Sequence, residues 1–306
     1  MMAALNSTND FKVQFGGLRP SADTLAVSIP VLAGETQETL FRGAKFFGLS
    51  EGFQMFQQGD FLIGSMVEPV QADLGGQTRR VYERLLRVAE GRYLARIWNY
   101  VPKINALSAE GMENYRAFCA GRSQAFEAGL GADCHGKLPS ASAVGGPAGE
   151  LVVIFATTSH RPRHVENPEQ VPAYDYPPEH GPRAPSFARA TRAENAGWPW
   201  VFVSGTAAIK GHTTIAPGDL GGQIDCMVDN FKIISRGCEL GENLGAGGGW
   251  ERHFKIYLRH PRDYEPAAAA LAGRLVLPGD HVIWLHTDIC RAALLIEVEA
   301  TLIAVR

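Results

Sequence analysis

Two carboxylates, Glu297 and Glu299, stand two residues apart in the stretch Cys290-Arg291-Ala292-Ala293-Leu294-Leu295-Ile296-Glu297-Val298-Glu299-Ala300-Thr301-Leu302-Ile303. Read with a period of two, Leu294, Ile296, Val298, Ala300 and Leu302 make one apolar face, and Leu295, Glu297, Glu299, Thr301 and Ile303 make the other. The two acids share a face, with Cα atoms roughly 6.6 Å apart along a strand. Inside a pocket each charge would oppose ionisation of the other. One acid would then keep its proton near neutrality and could serve as a general acid beside an anionic neighbour. The same pattern equally fits an edge strand with a solvated acidic face.

Groups that could hold an anion lie elsewhere in the chain. The spacing predicts a helix over 108–129 with Ser108 as its N-cap. Tyr115 and Arg122 would lie on nearly the same face of it, about 10 Å apart along the axis. A phenol and a planar guanidinium fork together suit a carboxylate, although an amphipathic helix whose Arg snorkels to water reads the same. Lys255, Tyr257 and Arg259 alternate onto one face of a second strand, where Arg259 is either another anion anchor or a plain exposed residue.

The elements that must position these groups recur. A helix over 76–90 leads into Tyr93 to Pro102, and a helix over 222–240 leads through a glycine-rich link, Gly245 to Gly249, into Phe254 to Pro261. Arg96-Ile97-Trp98 aligns with Lys255-Ile256-Tyr257, with a Pro four places on in both, which suggests a duplicated unit. Between the units, 158–199 is crowded with Pro, His, Arg and Tyr, a long loop whose tyrosines argue for order. Its His160, His164 and His180 lack the partner pattern of a metal site. Gly205 and Gly211 mark places of close approach by backbone or ligand, or simply room for packing.

The 306 residues, 45% hydrophobic and 20% charged, are enough for one large or two medium globular domains. A net charge of -3 and the lack of a long basic cluster exclude nucleic acid and anionic membrane as natural partners. Five scattered cysteines read as reduced thiols. The N-terminal residues carry no charged-then-apolar signal, and no apolar run reaches the ~18 residues of a membrane span. A cytoplasmic location is expected.

Five motifs in order carry a family resemblance: RIWNYVPKIN (from Arg96), ENYRAFCAGR (from Glu113), PAYDYPPEHGPRAPSFARAT (from Pro172), FVSGTAAIKGHTTIAPGD (from Phe202) and HTDICRAALLIEVEA (from His286). From about Tyr93 onward the chain resembles the chorismatases, and its C-terminal half is also similar to the YjgF/Rid superfamily; the first ~90 residues match least. The resemblance implies an α/β fold of two Rid-like domains, each a mixed sheet backed by helices: a degenerate one at 1–150 and one at 151–306 carrying the catalytic glutamate. It implies cleavage of the enolpyruvyl ether of chorismate, giving pyruvate and 3- and/or 4-hydroxybenzoate, as in the bifunctional bacterial type. Glu297 falls on the catalytic acid. Tyr115, Arg122, Tyr174 and Arg259 fall on substrate-binding positions, and Cys290 and Gly211 on positions that control the product. No cofactor and no metal is implied, the one partner is the small-molecule substrate, and a monomer with trimer-like internal packing is expected. Rival readings are hydrolysis to a dihydroxycyclohexadiene carboxylate, a Rid-like imine deaminase and a non-catalytic anion-binding module.

Overall fold

The computed structural model describes residues 10–17 and 24–305, so the reading of the first nine residues as signal-free lies outside the described residues. The chain opens with β1 (Phe11–Phe15), β2 (Thr24–Val27), β3 (Val31–Gly34) and β4 (Gln37–Phe41). A first unit follows: β5 (Lys45–Ser50), β6 (Phe53–Gln58), β7 (Phe61–Pro69), α1 (Leu74–Val88), β8 (Tyr93–Pro102), α2 (Asn114–Leu130), β9 (Ser140–Gly146) and β10 (Glu150–Thr158). The second unit is β11 (Arg163–Val165), β12 (Ala190–Asn195), β13 (Trp198–Thr206), the hairpin β14 (Ile209–Lys210) and β15 (Thr213–Thr214), α3 (Leu220–Gly237), β16 (Trp250–Leu258), α4 (Tyr264–Leu271), β17 (His281–His286) and β18 (Ile296–Ala304).

Each unit builds a mixed sheet. The orders are β5-β6-β7-β10-β8-β9 and β11-β12-β13-β18-β16-β17, with β3 added at the far edge of the second. In both, the last strand inserts antiparallel between two earlier ones, and one parallel pair, β8 with β9 or β16 with β17, closes the far side. The two-domain mixed α/β architecture expected from sequence is therefore present as one repeated topology.

Sequence explains the repeat locally. Asp73-Leu74-Gly75-Gly76-Gln77 and Asp219-Leu220-Gly221-Gly222-Gln223 are the same five residue types, and each opens a helix. Each Asp side chain accepts from the N–H of the second glycine, Gly76 at 2.7 Å for Asp73 and Gly222 at 3.2 Å for Asp219, a cap worth about 1 kcal/mol. Each Gln is buried and ties backbone: Gln77 donates to the Pro69 carbonyl and Gln223 to that of Ala293.

The helices cover the outer faces, α1 and α2 over the first sheet through Val81, Leu85, Phe118 and Phe126, and α3 and α4 over the second through Met227, Phe231 and Leu271. The inner faces meet in a shared core that includes Trp98, Ile154, Phe202 and Tyr257, with the small β2-β1-β4 sheet packed against it through Phe11, Phe15 and Phe41. Among the described residues no helix is long and apolar enough to cross a membrane.

Two expectations need correction. The split near residue 150 falls inside the first sheet, because Ala143 to Gly146 belong to β9 and β10 starts at Glu150. Those glycines serve contact: a Cβ on Gly146 would lie 2.6 Å from the Tyr100 carbonyl, and one on Gly145 would lie 2.5 Å from Thr287. Helix α2 starts at Asn114, with Glu113 as N-cap. Ser108 instead closes a turn, accepting from the Met112 N–H at 3.2 Å.

Candidate active site

Strand β18 crosses the middle of the second sheet with its apolar residues against α3 and both acids turned toward the first sheet. Glu297 and Glu299 are only 3% and 2% exposed, which excludes the solvated-edge reading. Their surroundings differ. Glu299 lies between Lys255 Nζ at 2.9 Å and Arg96 Nη2 at 2.8 Å, and Lys255 also meets Glu38 at 2.6 Å. Burial would raise the Glu299 carboxyl, but the two cations outweigh it and hold the group below its ordinary range. Among the described residues Glu297 has no cation at hydrogen-bond distance. Burial first, and then the charge of Glu299, push it up to about 8, so it carries its proton at neutral pH.

A cavity opens at Glu297. Two adjoining hollows share Tyr115, Phe187, Gly205, Cys290 and Glu297 as lining; Arg122 and Ser142 wall one side, Tyr176, Arg189 and Arg291 the other. The glycine at 205 leaves room for this carboxyl, since a Cβ there would come within 2.1 Å of Glu297 Oε1 and displace it. Cys290 Sγ approaches Glu297 Oε2 at 3.7 Å, and burial keeps its thiol protonated.

Arg122 carries unusual information. It is 1% exposed, its guanidinium lies over the Phe118 ring, and its polar neighbours are the Tyr82 hydroxyl and the Cys119 sulfur, the latter at 3.9 Å. Its Nε has no partner, and no carboxylate pairs with it among the described residues. A buried, unpaired cation is costly unless a ligand supplies the anion. Arg189, across the cavity, is better tied: it is 5% exposed, stacked near Phe187 and Tyr176, and its Nη2 donates to the Val171 carbonyl at 3.1 Å and the Tyr176 hydroxyl at 3.0 Å, while its Nε lacks a hydrogen-bond partner and faces the Glu166 carboxylate at 4.0 Å.

The residues singled out from sequence thus separate. Tyr115, Arg122, Cys290 and Glu297 come together. Tyr174 stacks on His135 in a neighbouring outer hollow, and Gly211 lies beyond the cavity wall, where its positive φ of 56° and open surroundings explain the glycine. Arg259 donates to the carbonyls of Leu294, Ile289 and Arg291 and to Asn105 and Asp288. It clamps the segment before β18 and does not line the cavity. Sequence reasoning missed Arg189, Arg291 and the Lys255-Arg96-Glu38 set. Arg189 sits within the motif PRAPSFARAT, so a basic residue beside an aromatic in an ordered loop was the available signal.

Comparison with known proteins fits this geometry. Residues 44–157 match the family model described as chorismatase FkbO/Hyg5-like, N-terminal. A 3-hydroxybenzoate synthase of Streptomyces hygroscopicus is 35% identical over 266 residues, spanning 82% of this chain and 76% of that protein. The chain belongs to the chorismatase family. A chorismatase of Streptomyces rapamycinicus is likewise 35% identical, over 84% of this chain and 79% of its own length. The crystal structure of a chorismatase at 1.08 Å resolution superposes with a TM-score of 0.79 at 26% identity, covering 98% of this chain and 95% of that one. Within a chorismatase fold, then, the inter-sheet cavity brings one protonated acid together with three arginines.

Proposed function

We propose that the protein cleaves the enolpyruvyl ether of chorismate, releasing pyruvate and forming 3-hydroxybenzoate, with 4-hydroxybenzoate as a second product. The observation that carries this reading is a protonated buried carboxyl, Glu297, sharing a cavity with the buried, carboxylate-free Arg122. Chorismate has two carboxylates and one acid-labile enol ether, which is the complement of that arrangement. Arg122 with Tyr115 holds one carboxylate; Arg189 and Arg291 face the other.

Glu297 donates its proton to the enolpyruvyl methylene carbon. The resulting oxocarbenium ion is stabilised by the carboxylate that Glu297 has become and by the field of ionised Glu299. Breaking the ring carbon–oxygen bond then frees pyruvate, the ether oxygen leaving as its keto oxygen, and loss of one ring proton to the Glu297 carboxylate aromatises the ring and restores the acid. Hydroxybenzoate and pyruvate together contain all the atoms of chorismate, so this route consumes no water, whereas the diene diol requires one. A narrow cavity walled in part by Tyr115, Tyr176 and Phe187 favours the former by limiting bulk water. Cys290, in contact with Glu297, steers the product, and Arg259 fixes the segment that carries Cys290.

Incubating the purified protein with chorismate and separating the products by chromatography tests the reading. Pyruvate in equal amount with hydroxybenzoate is expected. Pyruvate with a dihydroxycyclohexadiene carboxylate would point to hydrolysis, turnover of an imine without chorismate cleavage to a Rid-like deaminase, and binding without turnover to an anion-binding module.

A further inference from the structure

At the rim of the cavity three side chains from two segments converge. Glu179 and His180 lie on the single helical turn Pro178–His180 of the long loop; His212 lies on the turn joining β14 to β15. His180 Nε2 is 3.0 Å from His212 Nδ1 and 3.5 Å from Glu179 Oε1, and His212 Nδ1 is 3.3 Å from the same oxygen. Ligands at about 2.0–2.1 Å from a tetrahedral zinc ion stand roughly 3.3 Å apart. The three edges therefore match one face of such a coordination shell, and two imidazoles with a carboxylate are a donor set suited to zinc-like ions.

A second cluster, Glu251 with His253 and His281, is the useful contrast. There Arg42 takes both oxygens of the carboxylate, and the two rings stack face to face at 4.4 Å. Among the described residues Glu179 has no Lys or Arg partner, only the two histidines. Burial holds His180 below its ordinary range, which leaves the ring in the neutral form that binds metal; Arg291 and Arg116 act in the same direction and Glu179 against them. The same two arginines limit affinity for a dication.

We propose that Glu179, His180 and His212 form a zinc-class divalent metal site whose occupation ties the loop to the β14–β15 hairpin. Tyr176 on that loop and Ile209 on that hairpin both line the cavity. Arg291, also on the wall, donates to the His212 carbonyl at 2.8 Å. A bound ion therefore locks the rim and slows exchange of substrate and product. The site is regulatory and lies outside the chemistry at Glu297. The His180 partner missing from the sequence pattern is supplied by the fold, from a residue 32 positions away.

The test uses the full-length protein without chelator. Zinc titrated calorimetrically, with cobalt as a spectroscopic stand-in, is expected to show one site of micromolar dissociation constant and the visible bands of tetrahedral cobalt. His180→Ala, and separately His212→Gln, should weaken binding by at least about tenfold, with folding checked by circular dichroism, while His281→Ala should leave it unchanged. No binding below about 1 mM, or loss in His281→Ala with retention in His212→Gln, overturns the site. Zinc should also slow chorismate turnover in the wild type and not in His212→Gln; equal inhibition of both overturns the locking. Only this last arm rests on the proposed reaction.

Discussion

The two sheets share a topology and use it differently. Arg96 and Trp98 on β8 occupy the positions that Lys255 and Tyr257 occupy on β16. Opposite them on the central strand, however, the first sheet has Ala156 and Ile154 and the second has Glu299 and Glu297. The first sheet thus keeps a cation with no acid of its own. Arg96 reaches across the core, and Glu299 receives a basic residue from each unit. Contact with both Lys255 and Arg96, although Lys255 is shared with Glu38, keeps Glu299 ionised, and the neighbouring acid, denied a cation, keeps its proton. Two acid positions in an otherwise repeated frame turn packing into proton chemistry.

Removing the proton donor should give the largest effect. Glu297→Gln is expected to lower kcat for pyruvate release by about 10²–10⁴ with KM nearly unchanged. In the wild type, activity should fall as pH rises through about 8, as Glu297 loses its proton. The folded protein holds this proton where the unfolded chain releases it, so wild-type stability should decline between the ordinary carboxyl range and about pH 8. The variant, lacking that decline, should gain on the wild type over the same interval. Parallel curves would mean that Glu297 titrates normally.

Glu299→Gln probes the shared anion. It strands Arg96 and Lys255 with Glu38 alone, a loss of about 3–5 kcal/mol in urea unfolding, larger than a field effect alone would give. In whatever fraction folds, the alkaline limb should move to lower pH, because the charge that raised Glu297 is gone. A stable variant with an unmoved limb would break the comparison.

Arg122→Met should reduce kcat/KM by up to about a hundredfold, the loss of a charge-assisted pair, with folding stability kept or raised because a buried unpaired charge is removed. Lower stability with normal kinetics would make Arg122 structural. At Ile154, the first-sheet position that matches Glu297, Ile154→Val should cost only about 0.5–1.5 kcal/mol and leave the pH profile untouched.

What could be read from sequence was local and periodic. Alternation along β18 placed both acids on one face, and helical spacing placed Tyr115 with Arg122, because those relations need only one element. Which acid keeps its proton depends on Arg96, 203 residues away, and no local pattern contains that. Arg189 and Arg291 stand in irregular segments whose path is set by tertiary contacts, and the pull of Arg259 toward carbonyls of its own chain is a tertiary fact as well. The repeated Asp-Leu-Gly-Gly-Gln was open to view and locates both helix starts better than the Ser108 signal located α2. The β1–β4 region, weakest in resemblance, gave no sequence hint that it would complete the second sheet.

That completion has a consequence for how the protein is made. Strand β3 caps the open edge of β17, with Glu35 bonded to His281 246 residues further on. A ribosome delivers domains in order, and the earliest can usually fold while the rest is awaited. Here an early-emerging strand must remain unclaimed until nearly the whole chain has appeared. The second sheet stays open at that edge until the strand returns, a template for pairing with the wrong chain during synthesis.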